Sequence, residues 1–487
     1  MARGISFNKI DGLELEDSGM PIMLKATGTE SALTKLKKKL TIRNNSVYYE
    51  LSALKKKKDF WLKRQNHYDT AEMHIAAINQ QIHQLMADSE QTYYWEDDNV
   101  IYIPAGLWWL SKENPKGDPH LNNEIAPYYL PGLRPYQEGG LKELFKYKRA
   151  TAVLGTGLGK TRMIISVCIA AAKAGKRSMI VVPSDHLVGQ ITENVKEFHK
   201  SVTGASSKRR PKLGTDVIVC TVGTAAKYID AFHVILVDEA HHTPADTWQT
   251  LLGGAERAEY CYNFTATPFR SDGLDLAIHA FAGPTIYERD VKWGIDNDWL
   301  CKFDAYKFMI PARNKKGEQL TFTDGTRRTT AYKKLVGNAY FLNIVAEQVM
   351  SAAEKGRKVI VLFKTLEPAK ALRKACGNQF HVASAEFKKP LHDFSSGKTN
   401  VLIATDKLVS EGIDIPDADV LFLLTQNSSD VITFQALGRI LRKSEEKKKP
   451  MVVDCVALGY NQFLGSSQKR SSIYDEIADS NNVTRFR

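Results

Sequence analysis

Apolar residues follow two different rhythms in this chain, and the change comes near residue 131. Beyond it, short β-branched runs at 150–153, 178–182, 217–220, 234–237 and 260–264 alternate with stretches of helical spacing. Runs that are apolar throughout belong to strands covered on both faces, so the alternation predicts a parallel sheet with helices on either side. A second set, at 359–363, 401–404, 420–424 and 451–453, repeats the pattern and predicts a second α/β domain in tandem. Polar stretches at 314–317 and 324–328 predict loops or a small hairpin between the two.

The front of the chain is less regular. Leu33, Leu36 and Leu40 share a helix face, residues 41–45 read as a strand and turn, and Ile75, Ile78, Ile82 and Leu85 form a second helical stripe suited to packing. Residues 93–95 and 100–104 flank the polar 96–99 as a β-hairpin would, and 106–110 begins a short helix. Residues 1–130 thus predict a small mixed α/β domain, with a linker at 114–119. The rest divides into a first α/β domain at 131–290, a connecting segment at 291–345, a second α/β domain at 346–460 and a tail at 461–487. From Gly465 the tail is rich in Ser, Lys, Arg and Asn, which predicts partial disorder.

Composition narrows the partners. The 487 residues exceed what one core can hold, and 43% hydrophobic with 25% charged content is that of a soluble globular protein. A formal net charge of +12 favours a polyanionic partner, a solvated basic surface being the alternative. The densest basic block runs from Lys35 to Arg64, where only Glu50 and Asp59 oppose Lys37, Lys38, Lys39, Lys55, Lys56, Lys57 and Lys58. Tyr48, Tyr49, Phe60 and Trp61 are interleaved with it, and Tyr68 follows. Lysines that neutralise phosphates beside rings that stack on bases suit a nucleic-acid surface; a solvated helix face with core aromatics fits equally well. Six scattered cysteines without C-x-x-C spacing indicate neither a zinc site nor a disulfide framework, and a reducing cytoplasm fits. No secretory core opens the sequence and no run of about 18 apolar residues interrupts it, so no membrane partner is expected.

The chemistry is concentrated after the run at 150–153. There Gly155, Thr156, Gly157, Leu158, Gly159, Lys160 and Thr161 lead into a helical stretch. Glycines let the chain turn tightly enough to aim several backbone N–H groups at one anion, Lys160 adds a charge for the outer phosphates of ATP, and the Thr161 hydroxyl is placed for Mg²⁺. Leu154 stands where the strict phosphate-loop pattern has glycine, so the loop is a variant. At the end of the run 234–237 come Asp238 and Glu239. Adjacent carboxylates at a strand end can divide the labour, Asp238 holding the metal and Glu239 activating water.

Together with Asp238-Glu239-Ala240-His241, Thr265-Ala266-Thr267-Pro268 and the stretch from Gln435 to Arg442, the glycine-rich loop resembles motifs I, II, III and VI of the superfamily 2 helicases, in that family's order. The resemblance covers about residues 131–460 and implies two tandem RecA-like parallel-sheet lobes. It implies that Arg134 and Gln137 read adenine, that Gly412 and Asp414 face the nucleotide, and that Thr221 and Thr405 contact nucleic acid. His241, Thr265 and Thr267 would couple hydrolysis to motion, and Gln435, Arg439 and Arg442 would complete the catalytic site from the second lobe. Arg439 and Arg442 are three apart, which predicts one helix face, and guanidinium groups suit phosphoryl oxygens. The chain looks most similar to bacteriophage branch-migration and repair-type DNA helicases, which implies ATP-driven translocation on branched or forked DNA without sequence preference, in a bacterial or phage-infected cytoplasm. An RNA-directed ATPase and the motor subunit of a restriction system are the alternatives.

Overall fold

The computed structural model describes residues 9–17, 23–43, 54–55, 57–59, 62, 71–87, 90–97, 100–111, 124–206, 210–212, 214–239, 257–266, 276–384, 387, 389–406, 418–426, 430–444 and 447–486. The front strands are β1 (Leu13–Asp17), β2 (Met23–Gly28), β3 (Thr41–Arg43), β4 (Glu90–Thr92), β5 (Trp95–Asp97) and β6 (Val100–Pro104). An antiparallel sheet runs in the order β1, β2, β6, β5, and β3 pairs with β4. In β2 the period of two is clear, Leu24 and Ala26 being buried between half-exposed neighbours. Helix Glu30–Leu40 contributes Ala32, Leu36 and Leu40 to the same core and is capped by Thr29, whose Oγ1 accepts from the Ala32 N–H at 3.2 Å. The expected hairpin is β5 with β6, the expected short helix is a 3-10 turn over Ala105–Leu110, and the isoleucine stripe lies in helix Ala71–Ala87. The expected linker at 114–119 falls outside the described residues.

The first large sheet contains β7 (Arg149–Leu154), β8 (Ser178–Val182), β9 (Val202–Ala205), β10 (Val217–Thr221), β11 (Val234–Asp238), β12 (Tyr260–Thr265) and β13 (Thr285–Arg289), in the order β13-β7-β12-β11-β8-β10-β9. The second contains β14 (Asp304–Pro311), β15 (Val359–Phe363), β16 (Val382–Ala383), β17 (Val401–Thr405), β18 (Val420–Leu423), β19 (Met451–Leu458) and β20 (Ser480–Arg485), ordered β16-β17-β15-β18-β19-β14-β20 with every neighbouring pair parallel. These are the two tandem RecA-like lobes.

Two segments differ from expectation. Residues 304–311, within the connecting segment, form an inner strand of the second sheet. The tail is ordered, as helix Asn461–Ile477 followed by β20. Its polar composition hides the buried Phe463, Tyr474 and Ile477, and a salt bridge in which Arg470 donates to Asp454 at 3.0 and 2.7 Å, both side chains almost wholly buried.

The chain forms two compact units, residues 1–153 with 160–288 and residues 154–159 with 289–487. Within the first, the front module and the first lobe share one hydrophobic core, continuous from Leu13, Ile101 and Leu107 to Met179, Ile218 and Phe281. The 3-10 turn lies so close to helix Leu276–Ala282 that a Cβ on Gly106 would collide with the His279 and Ala280 carbonyls. Beside it Trp108 stacks on Tyr147 with centroids 5.3 Å apart, and Trp109 meets His279 edge-on at 6.3 Å.

Candidate active site

Strands β7, β12 and β11 are neighbours, with Thr265 opposite Val153 and Asp238 opposite Phe264. Their shared direction brings the start of the glycine-rich loop, Thr265 and the Asp238-Glu239 pair to one edge of the first sheet. In the loop Gly157 and Gly159 have φ of +90° and +81°, a region in which a side chain is strained. The Gly155 N–H donates to the Arg289 carbonyl at 2.8 Å, and the Leu158 N–H closes a turn onto the Gly155 carbonyl at 3.1 Å. Helix Lys160–Lys173 starts at once, completing the strand, loop and helix N-terminus that suit an anion. Thr156 Oγ1 in this loop is buried with no hydrogen-bond partner among the described residues.

Lys160 Nζ lies 3.2 Å from Glu239 Oε1, the two side chains being only 9% and 18% exposed. Glu239 has φ of +53°, unusual outside glycine and costing of order 1–3 kcal/mol. Its N–H holds that conformation from two sides, donating to the Phe264 carbonyl at 2.9 Å and to Asp238 Oδ1 at 3.0 Å. Burial, and then the adjacent Glu239 carboxylate, push the Asp238 carboxyl up to about 7, while Lys160 and the Glu239 N–H oppose the rise. The buried Asp238 carboxylate at the end of β11 and the half-buried Thr161 hydroxyl in the first turn of helix Lys160–Lys173 offer oxygen donors only, which fits a hard divalent cation.

Arg134 and Gln137 open helix Pro135–Leu144. Gln137 is buried, and its Oε1 accepts from the Arg134 N–H at 2.9 Å; Arg134 Nη1 donates to Tyr136 Oη at 2.9 Å. Gln435 and Arg439 lie on helix Asp430–Ile440, their side chains outside the described residues. Arg442 does not share that helix, contrary to expectation. The helix ends at Ile440, because the Leu441 carbonyl accepts from the Cys301 N–H at 2.7 Å and Arg442 pairs antiparallel with Leu300. Thr221 ends β10, with Oγ1 3.3 Å from Thr224 Oγ1, and Thr405 ends β17. His241, Thr267, Gly412, Asp414 and Lys56 fall outside the described residues.

Of the front lysines, Lys37 pairs with Glu96 at 2.9 Å, Lys38, Lys55 and Lys57 are exposed, and Lys39 and Lys58 are half-buried. Burial holds the Lys39 ammonium below its ordinary pKa. The Phe264 carbonyl, which fixes Glu239, had no signal in the sequence because a backbone oxygen carries none.

A glycine-rich-loop lysine in contact with a strand-end carboxylate, on the first of two parallel-sheet domains, is an arrangement suited to a nucleotide's phosphates. Residues 131–270 match the family described as "Type III restriction enzyme, res subunit", and residues 341–444 match "Helicase conserved C-terminal domain", together about half of the chain. A putative ATP-dependent RNA helicase of Acanthamoeba polyphaga mimivirus is 23% identical over 406 residues, covering 79% of this chain and 76% of the relative. The DNA 3′-5′ translocase XPB2 of Sulfurisphaera tokodaii is 23% identical over 378 residues, covering 69% and 84%. Among solved structures, the fragment of a putative HsdR subunit of a type I restriction enzyme from Vibrio vulnificus shares the fold, with a TM-score of 0.56 at 18% identity, over 76% of this chain and 71% of that one. The chain belongs to the superfamily 2 helicases, ATP-driven enzymes that act on nucleic acid. No helix among the described residues is long and apolar enough to cross a membrane.

Proposed function

We propose that this protein is an ATP-dependent DNA translocase that works on branched or forked DNA, as in branch migration, recombination or repair. The observation that supports the ATPase half is the Lys160–Glu239 contact at 3.2 Å, between a cation suited to phosphate and a carboxylate suited to activating water. Glu239 takes the proton of the attacking water and Lys160 draws the outer phosphates toward it, while Gly157 and Gly159 allow the loop to close on them. Asp238 and Thr161 would hold Mg²⁺, which would neutralise charge on the phosphates. The family resemblance assigns Arg439 and Arg442 of the second lobe a part in hydrolysis, and an arginine in such a role is worth about 10³–10⁵ in rate. The basic helix Glu30–Leu40, with Lys37, Lys38 and Lys39 in its last turn, supports a nucleic-acid contact by the front module. Backbone contacts read no sequence, so binding is sequence-tolerant and salt-dependent.

The test is ATP hydrolysis without nucleic acid and with single-stranded DNA, duplex DNA, a four-way junction or RNA, in wild type and in Glu239→Gln. Stimulation by DNA, greatest with the junction and lost in the variant, is the expected result. Stimulation by RNA alone would overturn the DNA assignment, and equal stimulation by linear and branched DNA would overturn the preference for branches.

A further inference from the structure

Tyr287 lies on β13, far in sequence from the turn that opens helix Pro135–Leu144, yet it holds that turn in two ways. Its hydroxyl donates to the Tyr136 carbonyl at 2.5 Å. Its ring occupies the space over Gly140, where an added Cβ would stand 2.7 Å from Cε1. Tyr136 in turn receives the Arg134 guanidinium on its hydroxyl at 2.9 Å, and the Arg134 N–H fixes the side-chain amide of Gln137 at 2.9 Å. The sequence of contacts runs from Tyr287 to the peptide of Tyr136, then to Arg134, then to Gln137. An amide whose oxygen is held by a backbone N–H cannot flip, so its donor and acceptor ends face fixed directions. That matters for a purine: a Gln amide matches the N6 donor and N7 acceptor of adenine, while guanine presents an acceptor in place of the donor.

We propose that Tyr287 is a specificity-determining positioning residue, whose hydroxyl sets the Arg134–Gln137 turn to select an adenine nucleotide. The proposal rests on the nucleotide reading of the site but not on any nucleic-acid substrate. Tyr287 touches no reacting atom; it acts through the Tyr136 peptide. Without its hydroxyl the turn keeps its cap but loses its outer anchor, and the energy difference between adenine and guanine shrinks.

The experiment compares wild type, Tyr287→Phe and Tyr262→Phe by displacement of a fluorescent ADP analogue with ADP and with GDP, alongside steady-state hydrolysis of ATP and GTP. Tyr262 is the control, since its hydroxyl donates to the Tyr147 carbonyl at 2.7 Å, a part-buried tyrosine-to-carbonyl bond at a different place in the same unit. For Tyr287→Phe the expected result is a roughly fivefold to tenfold loss in ADP affinity and in the ADP-over-GDP ratio, the effect of one buried hydrogen bond. KM for ATP should rise by the same factor with kcat unchanged. Tyr262→Phe should lose comparable stability and keep the ratio. An unchanged ratio in Tyr287→Phe, an equal loss in both variants, or a wild type indifferent to the base would each overturn the proposal. Since displacement needs no turnover, a protein that binds ADP selectively but hydrolyses nothing would sink the motor reading and leave this one standing.

Discussion

Lys160 Nζ rests 3.2 Å from Glu239 Oε1, so the cation suited to the outer phosphates is paired with the carboxylate suited to activating water. On the proposed function, a nucleotide entering the loop would take Lys160 from that partner and leave the Glu239 carboxylate released to act on water. Binding and activation of the base are thereby one event. Replacing Glu239 with Gln removes the competitor as well as the base. The variant should bind nucleotide at least as tightly as wild type while hydrolysis falls by about 10²–10⁴-fold. Lys160→Ala should lose binding itself. Fluorescent-nucleotide titration beside phosphate release separates the two, and weaker binding in Glu239→Gln would contradict the exchange.

The Arg470–Asp454 pair is sealed inside the second lobe. Arg470→Met should cost about 3–5 kcal/mol, because it leaves a buried carboxylate uncompensated, whereas Arg470→Met with Asp454→Leu should recover most of that loss. Urea unfolding of the single and double variants measures both. If the double variant is no better than the single, the cost comes from packing and not from charge.

Gly106→Ala should destabilise the first unit by about 1–3 kcal/mol, since the added methyl meets backbone that cannot step aside. Differential hydrogen exchange should show faster exchange in both Ala105–Leu110 and Leu276–Ala282. Change confined to the front module would mean the two sides are less tightly joined than the packing indicates.

His279 gives the same region a pH dependence. Burial holds its imidazole below the ordinary value, the bond from Nδ1 to the Gly283 carbonyl opposing only in part. The unfolded chain therefore takes up the proton first as pH falls. Stability is present above the unfolded value of about 6.5 and is lost as pH drops from there through the lower folded value. The urea midpoint should fall between about pH 7.5 and about pH 5.5, and by less in His279→Gln. An equal fall in both proteins would assign the effect to other groups.

The strands of both lobes that were legible were those with unbroken apolar runs, such as 234–237 and 359–363, because burial on both faces leaves a continuous signal. The glycine-rich loop and the Asp238-Glu239 pair were legible because their chemistry constrains residue type. Thr285–Arg289, Asp304–Pro311 and Ser480–Arg485 were not, being mixed in polarity or lying near a sheet edge where one face stays wet. The helix Asn461–Ile477 was hidden because its contribution to the core includes an ion pair, and arginine in a polar stretch reads as solvent-facing. Nor could spacing alone show that the chain leaves the helix before Arg442, since that departure is set by Cys301 and Leu300, far away in sequence.

The core shared by the front module and the first lobe also bears on how such proteins can be recombined. A crossover near residue 130, where the composition changes, would exchange half of a packed interior and oblige the incoming half to fit Leu276–Ala282 without having been selected to do so. A crossover after Glu288 would carry the front module with the surface it was fitted to. The heritable piece is therefore longer than the piece that composition marks out, and a chimaera designed on composition alone inherits a mismatch at its centre.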